Sequence, residues 1–166
     1  MSKSLKLYGQ TEDDLTVLSG LMQDAAVRVG DMAYDPAVRR FAMVANRFRW
    51  EQADAGRKRQ PGERVRTGLH FNSVDSVALK GVDRGQPDAM LDLLAITWQA
   101  GADGTGNVTL IFAGGASVRV AVECIDAVLN DLSSAWPARA RPAHENDDRS
   151  EEERPETVQD GDASWN

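Results

Sequence analysis

The segment from Val108 to Trp136 constrains the fold more than any other part of the chain. It contains two runs in which apolar residues alternate with other residues. The apolar members are Val108, Leu110 and Phe112, followed by Val118, Val120 and Val122. A period of two is typical of a β-strand with one buried face. Because the Gly114-Gly115 pair between the runs is a strong hairpin signal, the segment predicts two adjacent antiparallel strands.

The apolar spacing changes after this hairpin. Ile125, Val128, Leu129 and Leu132 recur at intervals of three and four residues. These intervals line one side of an α-helix. The predicted helix ends at Trp136-Pro137, since proline cannot continue a helix. We therefore expect a C-terminal capping helix that covers the sheet.

The upstream sequence predicts one more helix and further strands. Thr11 followed by acidic residues and then leucines indicates an N-capped helix over residues 13–23. Strands are predicted at 27–29, 39–50, 65–71, 74–82 and 90–98, with turn residues such as Asp35-Pro36 and Asn72-Ser73 between them. These short connections argue against a parallel doubly wound fold, because parallel pairing needs crossover helices.

The predicted fold class is therefore α+β. It consists mainly of an antiparallel β sheet or partly closed barrel, with an N-terminal helix and a C-terminal capping helix. Strands followed by one closing helix also give a pleckstrin-homology-like topology. That comparison concerns topology alone and implies no function.

Charge divides the chain into two parts. Residues 145–166 contain nine acidic residues against Arg149 and Arg154, whereas residues 1–144 carry 17 basic and 17 acidic residues. The acidic run offers little apolar surface to bury, so it cannot offset the entropy of ordering. We predict a single β-rich globular domain over residues 1–142 and an acidic disordered tail over residues 143–166.

The residues that usually carry chemistry are few. His70 and His144 are the two histidines, so no two-histidine metal site or Ser-His-Asp relay is apparent. We interpret His70 as a surface or hydrogen-bonded strand histidine and the single cysteine, Cys124, as a small buried packing residue. We predict no catalytic residue, no metal and no cofactor. The chain start lacks an apolar run for a membrane span, and we expect a cytoplasmic protein.

A cationic segment after the 39–50 strand suggests a binding site. Its candidate anion-binding residues are Arg57, Lys58, Arg59, Arg64, Arg66 and, as a stacking surface at its edge, Trp50. Glu51, Asp54 and Glu63 dilute this charge, so a solvated loop is the competing interpretation. Nucleic acid is disfavoured as a partner because the domain is not basic overall.

Four segments resemble an uncharacterised bacterial family, domain-of-unknown-function family 2948. They are DDLTVLSGLMQDA, RRFAMVANRFRWE, GLHFNSVDSVALKGVDR and TLIFAGGASVRVAVECIDAVLNDL. The resemblance runs from Leu5 to Arg141 and leaves out the acidic tail. It implies no particular reaction, ligand or catalytic residue.

The sequence thus favours a non-catalytic interaction or adaptor module that binds a protein or an anionic partner. The alternative is a binder of a small or lipid-like molecule in the mouth of the barrel. An enzyme has the least support, because the groups that acid-base or nucleophilic catalysis needs are not visibly brought together. We expect a protein partner and a monomer, or a weak homodimer formed through edge strands.

Overall fold

The computed structural model describes residues 4–53 and 62–138 and the backbone of residues 163–164. In this part of the chain there are eleven strands, two α-helices and two short 3-10 helices, Ala102–Gly104 and Ala113–Gly115. The strands are β1 Lys6–Gly9, β2 Ala26–Asp35, β3 Arg40–Phe48, β4 Glu63–Phe71, β5 Val74–Lys80, β6 Met90–Ala100, β7 Gly106–Phe112, β8 Ser117–Val122, β9 Ala127–Asp131, β10 Trp136–Pro137 and β11 Ala163–Ser164. The α-helices are α1 Glu12–Met22 and α2 Trp50–Ala53.

The strands form one antiparallel sheet in the order β1-β9-β4-β3-β2-β6-β7-β8-β5-β11, with β10 added beside β4. The described ends of this order, β1 and β11, do not pair with each other, so the sheet is not closed. The mainly antiparallel β architecture predicted from the sequence is confirmed.

The connectivity repeats a unit of four strands. In β2–β5 and again in β6–β9, the first three strands pair consecutively. The fourth strand of each unit crosses over, because β5 pairs with β8 and β9 pairs with β4. The two units meet where Ala26–Arg28 pairs antiparallel with Met90–Asp92. The fold is therefore a pair of interlocked units with an approximate two-fold relation, which no fixed sequence period reveals.

One hydrophobic core joins both units. Its buried side chains come from α1 and from all strands of β2–β9. Helix α1 buries Leu15, Leu18 and Met22. The Ser19 hydroxyl fixes the helix to β6 by accepting a hydrogen bond from the Ile96 backbone N–H at 2.9 Å. The predicted N-terminal helix and its Thr11 cap are confirmed, since the Thr11 hydroxyl accepts from the Asp14 N–H in a capping box.

The predicted C-terminal capping helix is wrong. Residues Ala127–Asp131 form β9, which pairs with β1 on one side and β4 on the other. The inward positions of β9 include the buried Asp131, a polar residue, while Val128 points outward. Because of this arrangement, the apolar residues of β9 do not follow a period of two, and their spacing resembles that of a helix. The predicted likeness to the pleckstrin-homology superfold depended on that helix and is not confirmed.

No helix in the described residues is long and apolar enough to cross a membrane. The predicted acidic tail lies outside the described residues, except for the backbone of β11.

Candidate binding face

One surface of the sheet gathers the outward side chains of β1, β9, β4, β3 and the first residues of β2; we call it the open face. Strand pairing arranges these side chains in rows. The rows are Tyr8, Val128, His70 and Ala42; then Lys6, Asn130, Gly68 and Val44; then Arg66, Asn46 and Ala26. Because successive strand residues point to opposite faces, the neighbours of these residues in sequence point into the core.

Small residues make the middle of the open face concave. Gly68 has no side chain, and a Cβ there would lie 3.4 Å from Cδ1 of Leu132. Two grooves adjoin at Val44, one of about 250 Å³ that extends to Arg28 and Met90 and one of about 230 Å³ that extends to Lys6 and Leu132. The groove that extends to Leu132 thus has a mainly apolar floor, which includes Ala42 and Val44.

The open face is cationic at the β1–β9–β4–β3 end. The outward side chains of these four strands include Lys6, Arg40, Arg64 and Arg66 and no carboxylate. The carboxylate of Asp126, directly before β9, adjoins this surface near His70. None of these four cations takes part in an ion pair within the described residues. At the opposite end the charge of Arg28 is compensated by Asp31 at 3.1 Å and by Asp88 at 2.9 Å.

His70 lies on β4, in the row of the open face between Val128 and Ala42. Its partial burial lowers the pKa of the imidazole, and the nearby charges of Arg40 and Lys6 lower it further, while Asp126 acts in the opposite direction. The net pKa is below the ordinary value for histidine. His70 is therefore neutral at pH 7 and offers a hydrogen-bonding group rather than a positive charge.

A buried ionic network lies behind the end of the open face, where β3 continues into α2. The Arg47 guanidinium has no exposed surface and donates to Asp131 through Nε at 3.0 Å and Nη2 at 2.8 Å. It also donates to Glu51 through Nη1 at 2.9 Å and Nη2 at 2.8 Å, and through Nη1 to the Phe48 carbonyl. These contacts use all five N–H groups of an arginine side chain. Arg47 is thus a structural residue without a free donor for a ligand.

The carboxylates of this network are held in the charged form. Burial of Asp131 raises its pKa, but the hydrogen bonds and charge of Arg47 lower it by more, so the net pKa is below the ordinary value. Glu51 follows the same pattern. A second arginine, Arg49, donates to Glu63 at 2.6 Å and links the start of β4 to the same network. The network therefore joins β3, α2, β4 and β9.

Comparison with known protein families identifies the domain. A family model described as "Protein of unknown function (DUF2948)" matches residues 5–144. The chain belongs to the DUF2948 family. The match includes every strand of the open face and stops where the acidic run begins. No curated protein and no solved structure matches the chain.

The structure of this DUF2948 domain brings together only part of the predicted cationic site. Arg66 is exposed on the open face, and the Arg64 guanidinium donates to the Asn46 carbonyl at 3.2 Å beside it. Trp50 lies elsewhere, because its indole N–H donates to the Gln23 carbonyl at 2.8 Å and its ring packs edge-on against Phe48. The predicted residues Arg57, Lys58 and Arg59 lie outside the described residues.

Sequence reasoning missed several residues of the open face in this DUF2948 chain. Lys6 belongs to β1, a strand of four residues that is too short for a clear alternation. Asn130 and Leu132 were assigned to the expected helix. Gly68 carried one available signal, because a glycine inside a strand marks a place where another group approaches closely.

The described residues offer little reactive chemistry. Within them, no group of three or more His, Cys, Asp or Glu side chains is arranged to hold a metal ion. The interpretation of Cys124 as a buried packing residue is wrong, because this cysteine is exposed. It lies in the loop between β8 and β9, directly after Glu123, whose N–H donates to the Ser73 carbonyl at 2.9 Å.

Proposed function

We propose that this chain is a non-catalytic interaction module whose open face binds an extended, acidic segment of a partner protein. The observation that carries the proposal is the set of outward side chains on β1, β9, β4 and β3, which includes the four cations Lys6, Arg40, Arg64 and Arg66, whereas the adjoining carboxylate is that of Asp126 before β9. A concentration of one sign of charge raises the encounter rate with ligands of the opposite sign and selects among them.

The apolar floor favours a peptide over a purely ionic ligand. Leu132, which is 53% exposed, lines the groove together with Val44 and Ala42. Tyr8, which is 62% exposed, lies outside it on β1, beside Val128. A ligand that gains from both parts of the surface needs carboxylates and apolar side chains on the same side. An extended peptide meets this need when the two kinds of residue stand two positions apart, because its side chains alternate in direction along the chain.

The alternative from the sequence, a small or lipid-like molecule in a barrel mouth, has no comparable support. The two larger grooves lie on the outward side of the sheet rather than inside it. Nucleic acid fits less well, because residues 1–144 carry equal numbers of basic and acidic residues rather than the basic excess that is typical of nucleic-acid-binding domains.

The test uses a fluorescently labelled peptide in which glutamate and leucine stand two residues apart with serine between them, so that both kinds of side chain lie on one side of the extended chain. Binding is measured by anisotropy at low and at moderate salt. Arg66→Glu should weaken binding about tenfold, which corresponds to about 1.4 kcal/mol. The matched control is Arg119→Glu, which changes an equally exposed strand arginine on the other half of the sheet and should leave the affinity within about twofold.

A second variant separates shape from charge. Gly68→Leu adds a side chain to the floor of the groove and leaves the charge unchanged, so it should also weaken binding of the peptide. Circular dichroism of each variant verifies that the fold is kept. Equal affinities for wild type, Arg66→Glu and Gly68→Leu would contradict the proposal, and tighter binding of single-stranded DNA than of the peptide would contradict the choice of a protein partner.

A further inference from the structure

The outer edge of β5 is completed by the end of the chain. Ala163 pairs with Leu79 and Ser164 pairs with Ala78, in antiparallel register. The other edge of β5 pairs with β8 from Val74 to Lys80. Residues far apart in sequence thus meet on a strand that would otherwise end the sheet.

The beginning of the same edge is closed by other groups. The Tyr34 hydroxyl donates to the Val74 and Asp75 carbonyls at 3.4 and 3.3 Å, and the Val74 N–H donates to the Arg39 carbonyl at 3.0 Å. The part of the edge that remains for a further strand therefore runs from Ser76 to Lys80. An exposed edge of this kind is a template for pairing with another extended segment.

The two-fold relation of the fold gives an independent reason to expect a strand there. The counterpart of β5 in the other unit is β9, and β9 carries an added antiparallel strand on its outer edge, the N-terminal β1. The C-terminal β11 has the equivalent place beside β5. Each terminal segment thus completes the edge of one crossing strand, with four residues paired at β1 and two at β11.

The charge beside the β5 edge is opposite in sign to that of the C-terminal segment. Lys80 ends β5, and the exposed Arg119 lies beside Ala78 on β8. Within the described residues neither of these cations belongs to an ion pair. The sequence that leads to Ala163 is the acidic run of residues 145–162. Because opposite charges attract, Lys80 and Arg119 favour an acidic segment as the occupant of this edge.

We propose that the β5 edge from Ser76 to Lys80 is a strand-addition site whose occupant is the C-terminal segment of this same chain, held by main-chain hydrogen bonds and by the charge of its acidic run. A contact of two residues is short, so the occupant exchanges between bound and free states. The site is independent of the open face, which lies on the other half of the sheet.

The test measures amide hydrogen exchange of Ser76–Lys80 by NMR in the full chain and compares Ala163→Pro, Ser164→Pro and Ser164→Val. Adjacent residues of a strand direct their N–H groups to opposite edges, so one of the two prolines removes a ladder bond. That variant should lower the protection of these amides about fivefold, whereas Ser164→Val should raise it because valine favours strands.

Thr157→Pro is the matched control, since it adds a proline within the acidic run and leaves residues 163–164 unchanged. It should not alter the protection of β5. Unchanged protection in both the Ala163→Pro and Ser164→Pro variants would overturn the proposal, as would an equal loss in Thr157→Pro. Because peptide binding at the open face is a separate measurement, this result does not depend on the proposed function.

Discussion

Removal of one carboxylate from the buried network should destabilise the fold strongly. Asp131→Asn keeps the shape of the side chain but removes its charge, and it replaces one acceptor oxygen by an NH₂ donor that faces the donors of Arg47. The Asp131 side chain is 3% exposed, so water cannot restore the lost contacts. Breaking a buried pair by removing one partner costs about 3–5 kcal/mol. We expect about 3 kcal/mol, because Glu51 still accepts from Arg47 at two atoms.

Asp75→Asn is the matched control for this change. Asp75 also accepts from an arginine, Arg39, at 2.6 Å, but its side chain is 56% exposed. Exposed ion pairs contribute about 0.2–1 kcal/mol. Urea denaturation followed by tryptophan fluorescence gives the free energy of unfolding for both variants. Equal losses in Asp131→Asn and Asp75→Asn would refute the argument that burial makes this network important.

The pH dependence provides a second check of the same reasoning. The folded pKa of Asp131 is lowered, so its contribution to stability is present above the unfolded aspartate pKa of about 3.9 and is lost as the pH falls through the lower folded value. The difference in unfolding free energy between wild type and Asp131→Asn should therefore be full at neutral pH and shrink in acid. A difference that grows as the pH falls would contradict the direction of the pKa shift.

Two further predictions concern other parts of the fold. Gly106→Ala should destabilise the fold by about 1–3 kcal/mol, because its Cβ would overlap the indole of Trp98. Gly20→Ala should instead stabilise it by about 0.5–1 kcal/mol, because Gly20 lies in helix α1 and no neighbouring atom is within 4 Å of the new Cβ. Thermal unfolding measures both variants, and a shift of both midpoints in the same direction would contradict this prediction. Arg40→Gln should raise the pKa of His70 toward its ordinary value, because a nearby positive charge is removed. NMR titration of the imidazole measures this pKa. An unchanged value would contradict the claim that the charge of Arg40 lowers it.

Elements with complete local signals were predicted correctly from the sequence. The N-terminal helix has its cap at Thr11 and buried leucines at helical spacing, so its location did not depend on distant residues. The β7–β8 hairpin likewise follows from two alternating runs and the glycines between them, of which Gly114 has a φ of 82°. Such signals identify elements but not the crossing of β5 and β9 between the two units, which depends on partners far away in sequence.

The open face could be predicted only in fragments for the same reason. Arg64 and Arg66 were recognised as a cationic pair, but Lys6 reaches them only through the pairings of β1 with β9 and of β9 with β4. Because β9 was expected to be a helix, these two pairings could not be foreseen. The wrong prediction of a helix in place of β9 therefore left β1 and β9 out of the predicted site.

Asp131 explains both this failure and the stability of the correct arrangement. A shift of β9 by one residue would exchange its two faces, so that Leu129 would point outward and Asn130 inward. The two hydrogen bonds from Arg47 to Asp131 fit one register, since Asn130 provides no carboxylate in its place. The polar residue that makes the sequence resemble a helix is thus the residue that fixes the strand. In this way the buried ion pair determines which side chains of β9 form the open face.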